Sequence, residues 1–73
     1  MNAKYVMCID NENYPLDLTV HKVYKVIPDG DAERLKMVRI IDDSGEDYMH
    51  PISRFLPVEL SEEAKQTFEL EIA

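Results

Sequence analysis

Short apolar bursts separated by turn residues every eight to twelve positions or so run along most of the chain, the pattern of a small all-β domain. Lys4 to Ile9 (KYVMCI) reads as a first strand, ended by Asp10-Asn11-Glu12-Asn13. Leu16, Leu18 and Val20 alternate with Asp17 and Thr19, which predicts an extended arm with one apolar face. His21 to Ile27 follows as a second strand with Tyr24 and Val26 facing inward. Pro28-Asp29-Gly30-Asp31 breaks it, because Pro cannot donate to a ladder and Gly permits a turn. Arg34 to Ile41 is dense in β-branched residues and predicts a third strand. Asp42-Asp43-Ser44-Gly45 then makes a hairpin turn, with Gly where φ is positive, and Glu46 to His50 returns as the fourth strand. Pro51 to Arg54 reads as one tight helical turn before a closing strand, Phe55 to Val58. The expected fold is all-β: a five-stranded small barrel over residues 4–58.

Residues 59–73 change character. Ser61 is placed to cap a helix opened by Glu62 and Glu63, whose charges suit its N-terminal dipole. Leu60, Ala64, Phe68 and Ile72 recur every four positions as a narrow apolar stripe. A helix of about a dozen residues is marginal alone, so the expectation for this C-terminal one is docking on its own barrel, on a partner or second copy, or on nothing at all.

Composition narrows the function classes. The 73 residues suffice for one domain, and a core this small often needs a disulfide, a metal or a partner. Cys8 is the only cysteine, so no internal disulfide forms and a reducing compartment is expected. The N-terminal residues lack the apolar stretch of a signal peptide and no run reaches membrane-spanning length, so a cytoplasmic protein is expected. The net charge of −7, from 15 acidic and 8 basic residues, argues against capture of nucleic acid and suits a basic protein partner or plain solubility.

Three segments carry a family resemblance: Cys8-Ile9-Asp10-Asn11, Leu18-Thr19-Val20-His21-Lys22-Val23-Tyr24-Lys25-Val26-Ile27, and Val38 through Asp47. They resemble a group of short bacterial and phage proteins of uncharacterised function, regarded as SH3-like, with a CIDN, LTxGKxYxV, IDDxGE, P, F order. The resemblance spans Lys4 to Val58 and implies an SH3-like small barrel. His21 departs from it, standing where the pattern has Gly. A looser similarity to eukaryotic SH3 domains stops at the ligand groove. The chain has no Trp, and with Phe55 buried, Arg54 falls where a groove Tyr would be, which argues against polyproline binding.

No catalytic, cofactor or metal-ligating constellation emerges. Asp42, Asp43, Glu46 and Asp47 put four carboxylates around one hairpin, but without EF-hand spacing, and they read as a solvated turn. Cys8 reads as a small buried hydrophobe, and His21 and His50 as surface or turn residues. Met1, Met7, Met37 and Met49 read as core filler and strand residues. The best candidate contact surface is the arm, with Asp10, Glu12 and Asp17 around Tyr14, and with Arg54. The loop from Asp29 to Glu33 is expected to contribute as well. The expected function is a non-enzymatic interaction module, monomeric or weakly dimeric. The alternative is a nucleic-acid-associated barrel using Lys22, Lys25, Arg34, Lys36 and Arg39, if those side chains share one face.

Overall fold

The pleat of the strands, clearest in the alternating burial of Met37–Ile41, sorts the side chains of the computed structural model onto two faces of one sheet. The structure describes residues 3–72, with side chains described through residue 69. Five strands, β1 (Tyr5–Cys8), β2 (Val23–Ile27), β3 (Met37–Ile41), β4 (Asp47–Pro51) and β5 (Phe55–Val58), form an antiparallel sheet in the order β4-β3-β2-β1-β5. β2 joins its two halves: Val23, Tyr24 and Lys25 pair with β1, whereas Val26 and Ile27 pair with β3. β4 and β5 are the outer strands, with no ladder between them to close the sheet.

Val6 and Cys8 of β1, Tyr24 of β2, Val38 and Ile40 of β3 and Phe55 of β5 point inward, and Leu18 joins them from the arm. Each is at most 4% exposed. Met7 and Met37 are half-buried strand residues, Met49 is exposed on β4, and Met1 lies outside the described residues. The closing strand and the helical turn before it (Ile52–Arg54, 3₁₀) fall where the residues predict them.

Three local expectations are corrected. Residues 29–33 are not a loop. Gly30–Arg34 is a short helix, α1, because Asp29 caps it through Asp31 N–H and Ala32 N–H, and because Ala32 is buried against the sheet. The chain leaves α1 through Lys36 at φ 57°, so β3 starts at Met37, not at Arg34. The arm is not extended either. The Tyr14 carbonyl accepts N–H bonds from both Asp17 and Leu18, a coiled turn that buries Leu18 alone and leaves Leu16 89% exposed.

His21 sits at φ 72°, in the left-handed region, with its N–H donated to the Cys8 carbonyl at 2.7 Å. Gly would meet this backbone requirement without the Cβ penalty that His21 carries. His21→Gly is expected to raise stability by about 0.5–1 kcal/mol, as measured by chemical denaturation.

Residues Glu62–Ile72 form the terminal helix, α2, and Ser61 Oγ accepts the Ala64 N–H as its cap. Tyr5 meets Phe68 edge-on at 5.3 Å, so α2 lies against its own sheet. Ile72 of the predicted stripe lies outside the described side chains. No helix among the described residues is long and apolar enough to cross a membrane.

Candidate functional site

The arm between β1 and β2 is a closed excursion, tied at its base and at its tip. At the base, Cys8 N–H bonds the Lys22 carbonyl at 2.9 Å and Ile9 N–H bonds the Arg54 carbonyl at 2.8 Å. Asn11 Nδ2 donates to the Leu18 carbonyl at 3.1 Å, cinching the loop across its neck. At the hairpin, Asp43 N–H donates to the Asp17 carbonyl at 2.9 Å. Asp10 Oδ1 accepts the Glu12 N–H in an Asx turn that starts the excursion.

These ties fix Tyr14 at the centre of a layered stack. The Arg54 guanidinium lies over its ring, 5.5 Å from the centroid, while Arg54 Nη1 reaches Asp10 Oδ1 at 3.5 Å. On another side the His50 ring meets Tyr14 edge-on at 5.4 Å, and His50 in turn lies 6.3 Å from Phe55. Tyr14 keeps 43% of its surface open. Of the candidate residues, Asp10, Tyr14 and Arg54 therefore converge. Glu12 is exposed further along the arm, and Asp17 anchors the arm through its backbone while its carboxylate stays half-exposed.

Beneath the stack lies a pair that the residue pattern did not reveal. His50 is not a surface residue and Asp42 is not solvated: their side chains are 4% and 1% exposed and meet at 3.1 Å, His50 Nε2 to Asp42 Oδ2. An ionised Asp42 can only accept, so Nε2 carries the proton. Asp42 Oδ1 accepts from the Ser44 N–H (2.9 Å) and hydroxyl (2.5 Å). Burial pushes the Asp42 carboxyl up, but these donors outweigh it and hold the group below the ordinary carboxylate range. The Ser44 hydroxyl bonds the carboxylate and not the imidazole, so the hydroxyl–imidazole–carboxylate order of a nucleophilic triad is not built here.

Asp43 is the second exception to a solvated turn. Its carboxylate accepts from Thr19 Oγ1 (2.7 Å), Lys22 Nζ (2.7 Å) and the Tyr24 hydroxyl (3.0 Å), which hold it below its usual range against the opposing effect of burial. Glu46 accepts from the Tyr48 hydroxyl and Asp47 pairs with Arg39, so the four hairpin carboxylates diverge to separate partners. Among the described residues no group of three or more His, Cys, Asp or Glu side chains is arranged to hold a metal. Strand parity was the available signal for the buried pair: in the β3–β4 register, Asp42 and His50 share the inward face with Ile40 and Val38.

Tyr24, 2% exposed, takes the Thr19 N–H on its hydroxyl oxygen at 2.7 Å. Burial pushes its phenol up to about 12, with the Asp43 carboxylate adding to the rise and the Thr19 N–H opposing it. A phenol that ionises later in the folded chain contributes stability below its ordinary value near 10, and that stability is lost as pH climbs toward 12. Stability is expected to fall by about 2–3 kcal/mol over that window. Tyr24→Phe should flatten the curve, as followed by denaturation and by phenolate absorbance.

Of the five basic residues of the nucleic-acid alternative, Lys36 is exposed at the end of α1 and the other four are ion-paired. Lys22 pairs with Asp43, Lys25 with Glu69, Arg34 with Asp31, and Arg39 with Asp29 and Asp47. Cys8 is buried, its Sγ 3.4 Å from the Asp10 carbonyl, and burial pushes its thiol up, away from the thiolate.

No family model, curated protein or solved structure matches the chain.

Proposed function

We propose that the chain is an SH3-like small barrel of the bacterial and phage type, working in the cytoplasm as a non-enzymatic protein-interaction module. The strand order, the pairing of β2 with β1 along one half and β3 along the other, and the 3₁₀ turn before β5 support the barrel reading. One observation carries the functional reading: Tyr14 is immobilised between Arg54 and His50 yet 43% exposed, with Leu16 fully presented beside it on the same tied arm. A fixed aromatic surface binds at low entropic cost, because its rotamer is already chosen before the partner arrives. Asp10 beside it, and Glu12 and Asp17 elsewhere on the same arm, make the arm acidic and suit it to a basic partner protein.

Capture from lysate, with Tyr14→Ala beside the unaltered chain and with Glu62→Gln as a control on α2, tests the reading. A basic protein retained by the parent and by Glu62→Gln, but reduced at least about tenfold by Tyr14→Ala, is the expected result for an anchor residue. Absence of any such protein, or retention insensitive to Tyr14→Ala, overturns it.

A further inference from the structure

Tyr5 is 6% exposed, yet it is not part of the cluster formed by Val6, Cys8, Leu18, Tyr24, Val38, Ile40 and Phe55. Alternation along β1 turns Val6 and Cys8 inward, so Tyr5 and Met7 stand on the opposite, outer face. There Tyr5 is the register partner of Lys25. What covers this pair is α2. Phe68 meets the Tyr5 ring edge-on, Glu69 Oε1 accepts the Tyr5 hydroxyl at 2.8 Å, and Glu69 Oε2 accepts Lys25 Nζ at 2.9 Å. Among the described residues no other hydrogen bond or ion pair joins α2 to the sheet.

An open surface cleft of about 680 Å³ lies beside β5 and the first half of α2, lined by Tyr5, Pro57, Val58, Leu60 and Lys65. A second, of about 450 Å³, runs between Val23 and the Ala64, Thr67 and Phe68 side. The core cluster contains no described α2 residue, so it does not need the helix to close. With 11 residues, α2 also lacks the length to persist once undocked.

We propose that α2 is a strap, held among the described residues by the Glu69 latch and the Phe68 ring beside it, that opens as a unit while the sheet stays folded. Opening uncovers an outer face formed by Tyr5, Val23 and Lys25, distinct from the Tyr14 surface. The latch is partly solvent-exposed, with the Lys25 and Glu69 side chains 38% and 40% accessible, so salt weakens it.

Hydrogen exchange on the full chain reads this directly. The α2 amides from Lys65 to Glu69 are expected to exchange at least roughly tenfold faster than those of Val38 and Ile40, the signature of a sub-global opening. Glu69→Gln, and separately high salt, should accelerate α2 by a further factor of about three or more and leave β3 unchanged. Equal protection of α2 and β3 in the parent chain overturns the proposal. So does acceleration of both by Glu69→Gln in the same proportion, or no acceleration of α2 at all.

Discussion

Leu18→Ala is expected to destabilise the protein by about 3–5 kcal/mol, the range for truncating a wholly buried leucine whose site cannot collapse. Leu18 is 0% exposed and is the one arm side chain in the core, beneath a turn held by the Tyr14 carbonyl and the Asn11 amide. The residue is tied on its backbone at both ends, so the surroundings cannot move in to fill the space. A chain of 73 residues has a total stability of only about 4–11 kcal/mol, so one such void removes about a quarter or more of it. The midpoint of thermal unfolding should drop by roughly 12–40 °C. Leu16→Ala, two positions away and 89% exposed, should stay within about 0.5 kcal/mol of the parent. Because Leu18 seats the arm, Leu18→Ala should also weaken any capture that depends on Tyr14. A loss under about 1 kcal/mol would mean the arm repacks and is not a fixed platform.

The contrast between Leu16 and Leu18 also shows where reading residues alone succeeds. Alternation is a dependable guide within a ladder, where the period is imposed by the pleat: β1, β5 and the inward positions of β3 were legible that way. The arm carries the same alternation but no neighbouring strand, and hydrogen bonds of Asp17 and Leu18 back to Tyr14 override it. α1 was hidden for a related reason. Pro28-Asp29-Gly30 is turn chemistry by composition, while the Asp29 cap and the Ala32 contact that turn it into a helix depend on a tertiary surface. At the site, Tyr14, Asp10 and Arg54 were all picked out as chemistry-bearing, but their convergence depends on the 3₁₀ turn that brings Arg54 under the arm. The His50–Asp42 pair was missed because both residue types are usually exposed, and only the register puts them inward together.

Asp42→Ala is the second large loss expected, about 2–4 kcal/mol, and it comes from the groups left behind more than from the bond removed. The substitution deletes the acceptor for the His50 Nε2–H and for both Ser44 donors, with His50 still enclosed under Tyr14 and against Phe55. An imidazole N–H buried without a partner carries its full desolvation cost. Pairing Asp42→Ala with His50→Phe separates the two contributions: if the unpaired imidazole is the source, the double variant should be more stable than Asp42→Ala alone. Acid supplies an independent check. The Asp42 carboxyl is held below its ordinary value, so the stability it contributes is present above about pH 4 and disappears as pH falls through its lower folded value. The gap between the parent and Asp42→Asn, measured by urea denaturation, should therefore narrow steadily below about pH 4. A gap that stays constant into strong acid would show that Asp42 acts through its shape in the turn. In that case the ionised carboxylate under the Tyr14 stack would not be what holds His50, and with it the floor of the contact surface, in place.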